Sequence, residues 1–120
     1  MVLCLRICAQ NQKHIDSILL QLEIDIADTT RVNLLNKIAG DLYYLNHDQS
    51  LEYSQKALEL SEDFNYSKGI AEAYNNLGIY YRSKGMYDLA IDYFFNSLEI
   101  MEQIKDINGI GRCYNLIGII

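Results

Sequence analysis

The stretch Tyr74–Ile100, "YNNLGIYYRSKGMYDLAIDYFFNSLEI", holds five of the ten tyrosines of this 120-residue chain and no proline. Ala71, Tyr74, Leu77, Gly78 and Tyr81 fall at steps of three and four, one stripe of a 3.6-residue helix. Ala90, Ile91, Phe94, Leu98 and Met101 form a second such stripe. Between them lies Ser83-Lys84-Gly85, where glycine can take the left-handed conformation that ends a helix. Asp88 then falls in the first turn of the next helix, where negative charge suits the dipole. The reading is helix, short turn, helix, and so short a turn makes the two antiparallel. Gly78 and Ala90 let two backbones approach. Tyr74, Tyr81 and Phe94 are expected to fill the space around them as core and inter-helix packing, with hydroxyls reaching the surface.

The unit is duplicated. Shifted by forty, Asp48 falls on Asp88, Tyr53 on Tyr93, Leu58 on Leu98, Glu59 on Glu99 and Glu62 on Glu102. Gly69 falls on Gly109, Ile70 on Ile110, Tyr74 on Tyr114, Asn75 on Asn115 and Gly78 on Gly118. A self-similar period of this length marks a repeat architecture, in which each unit covers the apolar face of the next.

These residues resemble the tetratricopeptide repeat: Tyr74, Leu77-Gly78, Tyr81, Ala90 and Phe94 occupy its signature slots in order, and Ser97 stands where alanine is usual. The resemblance implies an all-α fold, a right-handed α-solenoid of antiparallel helix pairs. It places a first unit at 28–66, a second at 67–106 and a truncated third at 107–120. In the first, Leu35, Ile38, Ala39 and Leu42 fill the slots of one helix and Ser50, Ser54 and Ala57 those of the other. The turn there is one residue shorter and lacks glycine, and Asn46 is expected to cap the second helix. The period is 40 where the ordinary repeat has 34. The extra residues fall at "DFNYSKG" and "QIKDING", implying longer helices or a longer loop between units. This long-period form resembles regions ahead of bacterial sensor kinases, cyclases and transcription regulators.

Upstream, Ile15, Ile18, Leu19 and Leu22 predict an N-terminal helix from Gln12 to Ile24, and "DIADTT" a linker whose Asp28, Thr29 and Thr30 offer N-cap oxygens, so that 12–27 is helix and linker. Residues 1–11 open with "MVLCLRICAQ" and read as a signal-peptide remnant or a disordered N-terminus. The chain is expected to be cytoplasmic, or periplasmic-facing if that remnant is real. Its C-terminal "YNLIGII" is apolar, which fits a fragment of a larger signalling or regulatory protein, or self-association through the last helix.

Composition excludes most chemistry. The net charge of −6 and the lack of a basic cluster oppose nucleic-acid binding. No stretch reaches the roughly 18 apolar residues of a membrane span. Cys4, Cys8 and Cys113 form no paired metal motif, and His14 and His47 stand alone, so neither metal nor other cofactor is expected. Nucleophile–base pairs and phosphate-binding glycine loops are missing, so the chain reads as no enzyme.

The resemblance instead implies a protein-interaction module that holds a peptide or partner helix along its concave side, lined by the first helix of each pair. The groove residues carried over are Asn33, Asn36, Lys37, Tyr43 and Tyr44 in the first unit. In the second they are Glu72, Asn75, Asn76, Ile79 and Arg82, with Ser83 beside them. In the third they are Arg112 and Asn115, with Leu116 and Ile119. Asparagine amides can both donate to and accept from a peptide backbone, and Asn76 is expected to be removable without loss of fold. Lys37, Arg82 and Arg112 would favour acidic groups; the family's two-carboxylate clamp is incomplete here. The competing reading is a spacer or dimerisation element of a sensor kinase or transcription regulator, with no ligand of its own.

Overall fold

A computed structural model describes residues 2–22 and 27–119, with side chains from Leu5 onward. Among the described residues the chain forms six α-helices and no strand: α1 (Val2–Leu22), α2 (Asp28–Leu42), α3 (His47–Asp63), α4 (Ser67–Ser83), α5 (Tyr87–Gln103) and α6 (Ile107–Gly118). Each helix packs on its neighbours in sequence, and α4 also touches the first helices on either side of it, α2 and α6. This is the stacked-pair solenoid expected from the repeat.

The forty-residue period has a simple anatomy. α3, α4 and α5 each span 17 residues, and the connections at 64–66, 84–86 and 104–106 are short. The residues beyond the ordinary repeat length therefore lengthen the helices and leave the loops tight. α4 and α6 begin forty residues apart, as do α3 and α5, whereas α2 and α4 begin one residue closer, at Asp28 and Ser67. That offset is the shorter first turn seen in the sequence.

All three short connections close by the same two hydrogen bonds. Tyr66 N–H donates to Ser61 O, Met86 to Tyr81 O and Asp106 to Met101 O, while Asn65, Gly85 and Lys105 donate to Glu62, Arg82 and Glu102. This is the Schellman closure, which needs one left-handed residue. Gly85 supplies it at φ 77° as expected; Asn65 (φ 51°) and Lys105 (φ 57°) take it without glycine, so the sequence marks only one of the three. Asn46 caps α3 as expected, its Oδ1 accepting from Gln49 N at 3.0 Å. Asp106 does the same for α6 through Gly109 N at 2.9 Å.

The N-terminal region differs in part from its sequence reading. α1 is one helix from Val2, with no break at residue 11. It docks by Ile15 and Ile18 on Ile38 and Leu42 of α2. Asp28, Thr29 and Thr30 are not a linker: they are the first turn of α2, whose N-cap position is Ala27, and no side chain caps it. Asp25 and Ile26 of the expected linker, and Ile24 of the expected helix, lie outside the described residues.

The α4–α5 seam shows why the small and aromatic residues alternate. Phe94 is fully buried on Gly78, where an added Cβ would come 2.7 Å from the ring Cδ1. Tyr93 lies between Tyr81, stacked at 5.6 Å, and Tyr74 at 5.7 Å. Burial pushes the Tyr93 phenol up, helped by those two neighbouring phenols. Ser97, in the slot where alanine is usual, is fully buried and donates to Ala71 O at 2.8 Å.

Two glycine substitutions separate packing from propensity. Gly78→Val should cost about 1–3 kcal/mol by overpacking against Phe94. Gly111→Ala, where nothing lies within 4 Å of an added Cβ, should stabilise by about 0.5–1 kcal/mol through helix propensity. Urea denaturation of both variants checks the pair, and equal effects would contradict the seam geometry.

Candidate functional site

The side formed by α2, α4 and α6 carries two cavities that share Gly40, Asn76 and Arg112 and so form one furrow. The first, about 290 Å³, is lined by Asn33, Asn36, Lys37, Gly40 and Asp41 of α2, Glu72 and Asn76 of α4, and Arg112 of α6. The second, about 260 Å³, adds Ala39 of α2, Tyr43 and Tyr44 after it, Ser50 of α3, Ile79 and Arg82 of α4, and Leu116 of α6.

Helical spacing brings these residues together. Asn33, Asn36, Lys37 and Gly40 recur at steps of three and four on α2, as do Glu72, Asn76 and Ile79 on α4. Ten of the twelve groove residues carried over from the family pattern line the two cavities; Asn75 and Asn115 do not. Asn115 is exposed beyond the furrow, as are Ser83 and Ile119. Asn75 turns away from the furrow into the contact with α6, fully buried, with its amide 3.7 Å from Cys113 Sγ. One helical step separates Asn75 from Asn76, which is why the sequence could not assign the two amides to different sides.

Two of the lining amides also hold the repeats together. Asn76 Nδ2 donates to Asn36 O at 3.1 Å and lies 3.2 Å from Asn36 Oδ1, while Asn36 Nδ2 donates to Gly69 O at 3.1 Å. Both residues are 5% exposed. Asn76 thus has a packing partner as well as a place in the furrow, and its truncation leaves a buried acceptor of the neighbouring unit short of a donor.

The furrow mixes charges. Lys37 and Arg112 are exposed on its rim. Arg82 rests its guanidinium 6.0 Å from the Phe94 ring centroid, and its Nη1 is buried without a hydrogen-bond partner among the described residues. Burial pushes the Glu72 carboxyl above its ordinary range; Lys68 and Arg112 pull it back and Asp106 adds to the rise. Next to it, Lys68 pairs with Asp106 at 3.5 Å. Asp41 sits one turn after Lys37 and meets His14 Nε2 of α1 at 3.4 Å, so the capping helix reaches the furrow's edge. Asp41, Gly40, Ala39 and Ser50 were not among the residues carried over; the steps of four from Asn36 to Gly40 and from Lys37 to Asp41 were the signals for two of them.

Among the described residues no three or more His, Cys, Asp or Glu side chains come together in a way that could hold a metal ion. Cys8 is exposed and Cys113 buried, both as free thiols. No described helix is long and apolar enough to cross a membrane. The furrow thus offers amide donors and acceptors, three cations, two carboxylates and a tyrosine-lined end. Such groups can recognise a polar chain by shape and hydrogen bonding. A family model of the tetratricopeptide repeat matches residues 30–103. No curated protein matches the chain.

Two measurements follow from the buried polar groups. A double-mutant cycle of Asn36→Ala and Asn76→Ala should give a coupling of about 0.5–1.5 kcal/mol, the worth of one buried hydrogen bond. Additive effects would show that the bond to Asn36 Oδ1 adds nothing, since Asn36→Ala leaves the bond to Asn36 O in place. The second concerns Glu72. Its proton is held more tightly in the folded chain than in the unfolded one. The associated stability is present below the ordinary carboxyl range and lost as pH rises through the raised value. Glu72→Gln should therefore gain on the parent as pH is raised from about 4 to about 7, read by thermal melts; a difference that is flat with pH would contradict the burial effect.

Proposed function

The chain belongs to the tetratricopeptide repeat family, whose repeats mediate protein–protein interaction, typically without catalysis, and on that premise we propose that its furrow holds a peptide or partner helix. The observation that carries this reading is the continuity of the two cavities across all three repeat units, through Gly40, Asn76 and Arg112. A furrow continuous over three stacked helices suits an elongated ligand better than a compact one.

Charge narrows the ligand. The chain as a whole is acidic, at −6, yet in this furrow the three cations Lys37, Arg82 and Arg112 outnumber the carboxylates Asp41 and Glu72. An acidic side chain or terminus on the ligand is repelled by the molecule at large and attracted here, which gives orientation as well as affinity. The Arg82 side chain lines the same cavity as Tyr43 and Tyr44. Tyr43 and Tyr44 pack edge to face at 4.8 Å and close one end with aromatic surface, a surface that anchors a side chain at low entropic cost. The resemblance of the long repeats to bacterial sensor regions supports placing the module in signalling, where holding a regulator is its task.

The test is selection of peptides from a displayed library on the immobilised chain, followed by calorimetry with variants. Arg82→Ala and Arg112→Glu should each weaken a selected peptide by about tenfold, and Glu99→Ala on the exposed outer face should not. Leu77→Ala, 2% exposed, should instead lower stability by about 2–5 kcal/mol. Peptides that bind Arg112→Glu as well as the parent would refute the groove reading.

A further inference from the structure

The furrow continues past its first cavity. A third cavity of about 190 Å³ opens between α4 and α6, where Lys68, Asp106 and Asn108 join Glu72 and Arg112 in its lining. Glu72 and Arg112 also line the first cavity, so they stand where the two meet. A ligand that spans both cavities passes this pair.

Glu72 differs from the other two carboxylates here. Asp41, in the first cavity, meets His14 Nε2 at 3.4 Å. Asp106, in the third, pairs with Lys68 at 3.5 Å and caps α6 through Gly109 N. Among the described residues Glu72 takes part in no ion pair. It lines both cavities, and its oxygens are not sealed away from them. Burial works against its charge; Lys68 and Arg112 support that charge, and Asp106 opposes it. Those three, with Lys37 and Asp41 of α2, are the other charged side chains that line the two cavities. α5 contributes Met101, which is uncharged, and α1 bears on the site through His14 beside Asp41.

An acidic ligand group drawn to Arg112 comes up against Glu72. The ionised carboxylate repels it and offers acceptors alone, whereas the protonated carboxyl removes the repulsion and offers an O–H donor. Two carboxylates sharing a site resolve the conflict when one of them takes a proton. We propose, on the footing of the groove reading, that the furrow takes up an acidic ligand group together with a proton, and that Glu72 carries it. The proton comes from solvent. Glu72 then donates to the ligand carboxylate while Arg112 supplies the countercharge. At neutral pH the same side chain, ionised, holds acidic ligands off. Binding therefore tightens as pH falls from about 7 to about 5, a range in which a ligand carboxylate of ordinary acidity stays ionised.

The probe is the tightest acidic, histidine-free peptide from the library selection. It is titrated calorimetrically into the 120-residue chain at pH 6 in two buffers of different ionisation heat. The parent should take up a measurable fraction of a proton per peptide, and its affinity should rise about tenfold from pH 7 to pH 5. Glu72→Gln should bind the peptide more tightly than the parent at pH 7 and should lose the uptake. Every other titrating group, His14 included, is present in that variant, so the lost uptake belongs to Glu72. Two results overturn the inference and leave the groove reading standing, provided that Arg112→Glu weakens the peptide. One is a parent that binds without proton uptake; the other is uptake by Glu72→Gln equal to the parent's. A selection that returns no acidic peptide, or binding that Arg112→Glu leaves unchanged, removes the groove reading and this inference together.

Discussion

The contact between the Phe94 ring and the bare Cα of Gly78 sets how closely α4 and α5 run. With no Cβ between them, the ring lies on backbone. The two helices then sit close enough for Ser97 to reach the Ala71 carbonyl at 2.8 Å. The first unit fills the corresponding seam with different side chains. Ala39 stands in the glycine slot and Ser54 in the phenylalanine slot, both fully buried. A methyl group on one side is matched by a shortened side chain on the other. Ser50 then donates to Ala39 O at 2.6 Å, and Ser54 closes back on Ser50 O at 2.7 Å. Interiors are close-packed, so each seam is filled by its own combination of small and large side chains.

That closeness explains the polar interior. Ser50, Ser54, Ser61, Ser97, Asn36, Asn75 and Asn76 are all buried. A large aliphatic residue at these positions would push the helices apart. A small hydroxyl fits and returns its donor to a helix carbonyl, as Ser61 does to Ala57 O, so little desolvation cost is left uncompensated. The amides work across units: Asn36 and Asn76 tie α2 to α4 through side-chain bonds that apolar packing could not direct. The stacking register is then specified by hydrogen bonds at one edge and by ring-on-glycine packing at the other.

The fold was legible because its signals are local. Tyr74, Gly78, Ala90 and Phe94 state the helix spacing, and the match of 48–78 with 88–118 states the period. The closures at Asn65 and Lys105 were not legible, since a residue other than glycine enters the left-handed region there under the constraint of its neighbours. The start of α2 was misread for a related reason. Asp28, Thr29 and Thr30 are good N-cap residues, yet the helix begins one position earlier and uses Asp28 as a first-turn charge. For the furrow, slot matching found the helix faces. It could not separate Asn75 from Asn76, because which neighbouring amide points inward depends on how α6 sits against α4, a tertiary quantity. Asp41 was missed because its place at the edge depends on α1 folding back to bring His14 to it.

On the proposed groove reading, charge does more than the amides to choose the ligand. In the furrow, the buried amides are already committed to each other. Discrimination therefore falls to the rim cations and to Arg82, whose Nη1 has no hydrogen-bond partner among the described residues. Screening by salt weakens such contacts at exposed positions, so occupancy there responds to ionic conditions.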